Sequence, residues 1–254
     1  MAANDLSGKA ALLIGATTGI GRATARAFAA AGCNVAFAGL GAEEGRSLEA
    51  ELREGFHIGT LFMEVDVRRD AEVREFMRRA VERFGRIHAA VNNAGTEGRF
   101  APIQDTTAED FERIIGVNLR GVWLGMREQI PHMLAHGGGA IVNTASMAGL
   151  NGIANVALYT ASKHGVVGLT KAAALELGKS NVRVNAVAPG PVDTGLLHRM
   201  VGGHIDIATI AASVPMARVA QPEEIASCIL WLCSAAASYI TGHTLAIDGG
   251  ITVG

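Results

Sequence analysis

Short apolar runs alternate with helix-period segments almost from one end of the chain to the other, and this alternation constrains the fold more than any other feature. The apolar runs are AALLI (10–14), NVAFA (34–38), TLFMEV (60–65), IHAAVN (87–92), AIVNTA (140–145), VRVNAVA (182–188) and TLAI (244–247). Helical periodicity occupies the intervals near 20–31, 43–54, 70–84, 107–134, 155–178 and 222–234. Runs that are apolar throughout belong to strands covered on both faces, and strands separated by helices pair in parallel through right-handed crossovers. The predicted fold is therefore α/β, a single doubly wound parallel sheet of the Rossmann type, with about seven strands and helices on both faces. No Pro/Ser-rich linker, low-complexity tract, composition shift or helical-repeat period divides the chain, so one domain over 1–254 is expected. The long interval without clear structure, Gly190 to Pro215, is expected to serve as a substrate loop.

Composition narrows the function classes. Hydrophobic residues make up 49% of the chain and charged ones 18%, which supports a buried core and excludes a disordered chain. A formal charge of −2 provides no global attraction to nucleic acid or anionic membrane, and the basic clusters VRRD and MRRAVERFGR alternate with acids as a solvated helix face does. No stretch of about 18 apolar residues escapes a charge or a Gly-rich break, so no membrane span is expected. The segment MAANDLSGK has neither the basic nor the apolar region of a secretory signal. Cys33, Cys228 and Cys233 are odd in number and lack Cys-x-x-Cys spacing; they read as small buried residues of a reducing, cytoplasmic protein. His132 and His136 have the spacing of half a metal site, but no His-Glu-x-x-His pattern completes it and GGG follows. They read as imidazoles closing a helix C-terminus, and no metal is expected.

Several residues invite a chemical reading. The chain has only two tyrosines and four lysines, yet Tyr159 and Lys163 stand four apart on one helix face, with Cβ atoms about 5–6 Å from each other. Taken alone, the pair also fits an amphipathic tyrosine beside a lysine that snorkels to water. After the first strand comes IGATTGIGRATARAFA, in which Gly15, Gly19 and Gly21 sit where a strand turns into a helix. Glycines there let a pyrophosphate approach backbone N–H groups at the positive end of the helix dipole; a tight strand–helix turn is the alternative. The spacing differs from Gly-x-Gly-x-x-Gly, and no Gly-Lys-Ser/Thr follows. Asp66-Val67, NNAG (92–95), Ser146 and APGPVDTG (188–195) lie at the C-terminal ends of the third to sixth strands, the edge where open α/β sheets bind ligands. Each is also compatible with turn or capping chemistry. Asn118 falls mid-helix, where an inward amide needs a specific polar partner.

Gly15-x-x-x-Gly19-x-Gly21, Asn92-Asn93-Ala94-Gly95, Asn118, Ser146, Tyr159-x-x-x-Lys163 and Pro189-Gly190 occur in the order and approximate spacing of the short-chain dehydrogenase/reductase family, which the chain resembles over essentially its whole length. Ile14 departs from the Thr that usually precedes the first glycine, removing a supporting hydrogen bond but no catalytic group. The resemblance implies an NAD(P)-dependent oxidoreductase with Asn118, Ser146, Tyr159 and Lys163 as catalytic residues. Tyr159 would be the general acid/base, Ser146 would hydrogen-bond the reacting oxygen, and Asn118 would anchor a water that links Lys163 to bulk. Lys163 would also hold the nicotinamide ribose. An ammonium about 4 Å from the phenol, at an effective dielectric of about 20, contributes roughly 4 kcal/mol, or about three pKa units, towards a usable base. The cofactor site implied by the match comprises Gly15, Thr17, Thr18, Gly19, Ile20, Gly21, Leu40, Asp66, Val67, Asn92, Ala94, Gly95, Tyr159, Lys163, Pro189, Gly190, Val192 and Thr194, with Asp66 meeting the adenine amino group and Val192 and Thr194 the carboxamide.

Other readings are a dinucleotide-binding scaffold without catalysis, an S-adenosylmethionine methyltransferase, and an NADPH-dependent 3-oxoacyl-[acyl-carrier-protein] reductase. The scaffold predicts an eroded tetrad, and a methyltransferase gives no reason for Tyr159 and Lys163 to share a face. TEGRFAPIQDTT lacks the Ile-Thr-Arg-Asp run usual in those reductases, whereas NNAGTEG and YTASKHGVVGLT look more like dehydrogenases of secondary and alicyclic alcohols. Gly39, Leu40 and Ala16-Thr17-Thr18 supply no cation for a 2′-phosphate, so NAD is expected in preference to NADP; Arg22 and Arg46 are the cations near enough to reverse this. The family resemblance also implies a homotetramer packed through helices 107–134 and 155–178 and the C-terminal LAIDGGITVG. The expected walls of the substrate site, Met147 to Leu150, Val192, Leu196, Leu197, Met200 and Val201, are largely apolar, with His198, Arg199 and His204 as the charged or polar neighbours that could turn inward. The Gly-rich MVGGHID would hinge this loop. The expected partner is thus a small, uncharged, cyclic secondary alcohol or its ketone, with broad specificity as the alternative meaning of an apolar pocket.

Overall fold

The computed structural model describes residues 6–202 and 206–253. The seven apolar runs form strands β1 (Ala10–Ile14), β2 (Asn34–Gly39), β3 (Thr60–Glu64), β4 (Ala89–Asn92), β5 (Gly139–Thr144), β6 (Val182–Pro189) and β7 (Thr244–Ile247). They lie in one sheet in the order β3-β2-β1-β4-β5-β6-β7, and every pairing is parallel. The connecting helices are α1 (Gly19–Ala30), α2 (Ala42–Phe56), α3 (Asp70–Phe84), α4 (Ala108–Ile115), α5 (Gly121–Ala135), α6 (Ala157–Leu177), α7 (Gly195–Val201), α8 (Ile207–Ser213) and α9 (Pro222–Cys233).

Successive strand residues face opposite sides of the sheet, which explains why these runs are apolar throughout. Ala11 and Leu13 of β1 pack with Phe28 of α1, Leu48 and Leu52 of α2, and Ile225 and Ile229 of α9. Their neighbours Ala10, Leu12 and Ile14 pack on the other side with Val73 and Phe76 of α3 and Leu124 of α5. Farther along that side, Ile141 and Val184 meet Val122 and Met126 of α5 and Val166 of α6. Strand order reverses between β1 and β4, so the loops leaving their C-terminal ends diverge and open a crevice.

Two intervals differ from expectation. The helix expected over 107–134 is divided: α4, opened by a Thr107–Asp110 capping box, passes through a π-helical turn at Gly116–Arg120 before α5 begins. The wider turn carries the buried Asn118, and such turns recur where a side chain must be aimed inward. The interval 190–215 holds two helices, α7 and α8, each of 7 residues and capped by the side chains of Thr194 and Asp206. Two turns are too short to show a helical period in sequence. Gly203 and His204 of the expected hinge, and Met1 to Asp5 of the N-terminal segment, lie outside the described residues. No described helix is long and apolar enough to cross a membrane.

Candidate active site

The crevice is shaped first by backbone. Gly15 has φ +84°, and a Cβ there would stand 2.3 Å from the Ala94 amide nitrogen; at Gly21 it would stand 2.0 Å from the Gly15 carbonyl oxygen. No side chain fits at either position. Gly19 opens α1, and a Cβ on it would meet Thr194 Cγ2 at 3.2 Å, so Thr194 faces the helix N-terminus across the crevice. This cradle of unblocked amides fits the pyrophosphate of a dinucleotide. Thr17 closes the loop onto β2 by donating to the Leu40 carbonyl at 2.8 Å. Thr18, the residue before α1, makes no capping bond through its side chain, and Ile20 packs partly against the core. Leu40 is exposed at the end of β2, where a flat ring could rest on it.

Beyond β3 the Asp66 carboxylate is gripped by Arg68 at 2.6 to 3.1 Å, which holds it below the usual carboxylate range. Asp66 stands two residues past the end of β3 at Glu64, and Val67 points into the core. The two asparagines of NNAG divide their work. The Asn92 side chain enters a buried network with Gln129 and Asn143 at 2.8 to 3.1 Å, which leaves its backbone as the part that can face a ligand. Asn93 donates to the Gly15 carbonyl at 2.7 Å and accepts from the Thr144 hydroxyl at 3.1 Å. Pro189 ends β6, and Gly190 is pressed so close to Asp248 that a Cβ would lie 2.7 Å from its Cα. Val192 bridges to Ala220 with its side chain in the core, which removes it from the substrate wall.

Tyr159, Ser146, Lys163 and Asn118 converge at the ends of β4 and β5, all buried. Lys163 donates from Nζ to the Thr144 carbonyl at 2.8 Å and stands 5.7 Å from the Tyr159 ring centroid. Asn118 accepts from the Thr96 amide at 2.7 Å and donates to the Thr96 carbonyl and the Ser162 hydroxyl at 3.0 and 3.1 Å. Ser162 in turn donates to the Tyr159 carbonyl at 2.7 Å, so Asn118 reaches Tyr159 through protein atoms. The mid-helix amide has found its partner in the loop after Gly95. A Cβ at Gly95 would lie 3.6 Å from Lys163 Nζ and 3.7 Å from Asn118 Oδ1, so the loop backbone crosses directly over both.

The electrostatics reverse one expectation. Burial pushes the Tyr159 phenol above its ordinary value, the Ser146 hydrogen bond opposes the rise, and the Glu97 charge adds to it. Burial also pulls Lys163 down to about 8. Loss of solvent thus dominates both groups, and the ammonium expected to lower the phenol does not set its direction. The wall around Tyr159 consists of Ala148, Val156, Ile153 and Met200. Ile153 escaped sequence reading because it precedes α6 in a segment without periodicity, and Val156 because it falls at the edge of the expected helical interval, one residue before α6 begins. Glu97 was also missed: its carboxylate takes two bonds from Arg199 of α7, at 2.7 and 3.2 Å, across the mouth of the site. The side chain of Val201 and all of His204 fall outside what is described. At the other end of the sheet, His132 Nε2 accepts from the Ile87 amide at 3.0 Å and its ring stacks on His136 at 4.1 Å.

Known proteins are similar to this chain over nearly its whole length. A family model described as enoyl-(acyl carrier protein) reductase matches residues 15–252. The chain is 40% identical over 251 residues to trans-4-hydroxycyclohexanecarboxylate dehydrogenase of Sinomonas cyclohexanicum, covering 97% of this chain and 93% of the relative. It is 38% identical to cyclohexanol dehydrogenase of Acinetobacter sp. (strain SE19), covering 98% and 97%. The crystal structure of levodione reductase superposes with a TM-score of 0.93 at 35% identity, over 96% of this chain and 98% of that one.

The buried ammonium makes a prediction about stability. Lys163 has a folded pKa of about 8, below the unfolded 10.5, so the unfolded chain holds the extra proton between those values. The contribution of Lys163 to stability is then complete above about 10.5, falls as pH drops to about 8, and is level below that. Lys163→Met should melt at least as high as the natural chain at pH 7, with the natural chain gaining on it as pH rises past 8. Calorimetric melts at several pH values check this, and a natural chain that loses ground above pH 8 would contradict it.

Proposed function

The chain belongs to the short-chain dehydrogenase/reductase family, and from that premise we propose that it interconverts a small, mainly apolar, cyclic secondary alcohol and its ketone by NAD(P)-dependent hydride transfer. The observation that carries this reading is that Ser146 and Tyr159 bring two buried hydroxyl side chains to the same end of the sheet, with Ala148, Ile153, Val156 and Met200 packed around the tyrosine. A ring of CH₂ groups suits that wall, and the two hydroxyls are the groups that can hold its oxygen. Both relatives at about 40% identity are named for alcohols on a cyclohexane ring, which supports the same substrate class.

The chain's own residues divide the work. Gly15, Gly19 and Gly21 would hold the pyrophosphate on backbone amides, and Thr194 with Pro189 and Gly190 would border the nicotinamide end. A nicotinamide dinucleotide held there would supply the hydride acceptor or donor. Ser146 orients the reacting oxygen, and Tyr159 takes or returns its proton at the phenolic oxygen. Lys163 keeps a positive charge beside that oxygen as proton is lost, an interaction strengthened by the dry surroundings that raise the cost of either charge alone. Asn118 positions this group by fixing Thr96 and, through Ser162, the backbone of Tyr159.

NAD is the proposed cofactor in preference to NADP. Arg22, one of the two cations near enough to meet a 2′-phosphate, is bound to Glu51 at 2.6 Å, which also holds Arg26 at 2.7 Å. Glu64 accepts from the Gly41 amide at 3.2 Å, placing a negative charge beside the ribose position at the end of β2. We also propose a homotetramer in the cytoplasm. Exposed Phe111, Trp123 and Leu175 on α4, α5 and α6 provide apolar contact surface, and all three thiols are free.

Tyr159→Phe should retain the fold and lose at least about 10²-fold in kcat, the lower range for one acid/base group; near-natural turnover would end the assignment. In a panel of cyclic alcohols, diones, sugars, hydroxy acids and an acetoacetyl thioester, a cyclic alcohol should give the highest kcat/KM. A tenfold lead for a sugar or the thioester, about 1.4 kcal/mol in transition-state binding, would overturn the substrate class. The same assay should favour NAD over NADP in kcat/KM, and a reversed ratio refutes the cofactor preference. Light scattering at micromolar concentration should report a tetramer; a monomer would count against the assembly.

A further inference from the structure

The mouth of the site carries an ion pair that the hydride chemistry does not use. Glu97 lies in the loop after β4, two residues past Gly95, and its side chain is only 18% exposed. Arg199 lies on α7, 102 residues away in sequence, and donates Nε to one Glu97 oxygen at 2.7 Å and Nη2 to the other at 3.2 Å. Arg113 fastens the same loop by donating to the Glu97 carbonyl at 3.2 Å and the Thr96 hydroxyl at 3.4 Å. Arg199 thus holds the carboxylate from α7 while Arg113 of α4 holds the backbone that carries it. Met200, next to Arg199, packs in the wall around Tyr159, so the pair borders the space a substrate ring would occupy.

We propose that Glu97 is a specificity-determining residue that makes this site reject alcohols carrying a carboxylate, by occupying the fork of Arg199 and by leaving its own negative charge at the pocket rim. This rests on the reading of the chain as a cyclic-alcohol dehydrogenase. The chemistry is direct. A guanidinium binds a carboxylate best through two parallel N–H donors, and the Nε–Nη2 edge of Arg199 is already given to Glu97. A substrate carboxylate approaching the same rim meets the Glu97 charge, and only the outer Nη edge of Arg199 is left to offset it. The charge is close enough to Tyr159 to push its phenol up, which places it within electrostatic reach of the reacting oxygen. Burial pulls the Glu97 carboxyl up, but Arg199, a backbone contact and Arg113 more than offset this and hold it below its ordinary value, so it stays charged at neutral pH.

Neutralising Glu97 should turn the same arginine into a carboxylate receptor. The test compares the natural chain, Glu97→Gln and the double variant Glu97→Gln/Arg199→Gln. Each is measured for kcat/KM with cyclohexanol and with 4-hydroxycyclohexanecarboxylate, and for binding of cyclohexanone and cyclohexanecarboxylate to the dead-end complex with oxidised NAD by calorimetry. Glu97→Gln should raise the carboxylate-to-neutral ratio at least tenfold in both readouts, and the double variant should lose that gain. If both ligands weaken in parallel, Glu97 is a strap for α7 and the proposal is wrong. An unchanged ratio in a well-folded Glu97→Gln also overturns it. Should the natural chain turn over neither alcohol, the proposed function fails, while the binding ratio still decides the role of Glu97.

Discussion

A line of hydrogen bonds crosses the carboxyl edge of the sheet, and the placement of the site depends on it. Lys163 Nζ donates to the Thr144 carbonyl, the Thr144 hydroxyl donates to Asn93, and the Asn93 amide donates to the Gly15 carbonyl. Four elements, α6, β5, β4 and the turn after β1, are thereby held in one register. The line joins Lys163, proposed to assist proton transfer, to the glycine turn, two features 148 positions apart between Gly15 and Lys163. Beneath it a second layer of Asn92, Gln129, Asn143 and Thr170 satisfies its own polar atoms in the core. Buried amides that lack partners cost heavily, so this layer accepts few arrangements other than the one observed.

That setting also explains the state of the two titrating groups. Tyr159 and Lys163 are both removed from water, so each is driven towards its neutral form when considered singly. Phenolate and ammonium together are a different matter, because their attraction grows as solvent is excluded. The pair is therefore poised to share a charge separation that neither member supports alone. An exposed tyrosine beside an exposed lysine would gain little from the same spacing.

Much of the architecture was legible in sequence because it follows from period. Apolar runs placed all seven strands, and their alternation with helices pointed to the C-terminal edge of a parallel sheet, while the strand order itself came from the structure. The glycine spacing and the Tyr159–Lys163 helix face were legible for the same reason: geometry at four residues' separation is local. Side-chain direction was not. Asn92 and Asn93 are adjacent amides at a strand end, and only the pleat decides that one enters the core while the other faces the glycine turn. The sign of the Tyr159 shift was equally hidden, since it depends on burial by residues distant in sequence. Glu97 and Arg199 stand 102 positions apart, beyond any local pattern, and α7 is too short to announce itself.

The central claim is that the Ser146 and Tyr159 hydroxyls together receive the reacting oxygen. A crystal structure of the complex with NAD and a cyclohexanol would test it most directly. The alcohol oxygen should lie about 2.6–3.2 Å from both hydroxyls, with the ring against Ala148, Val156, Ile153 and Met200. An oxygen bound elsewhere, with both hydroxyls turned to other partners while the ring occupies the pocket, would contradict the account.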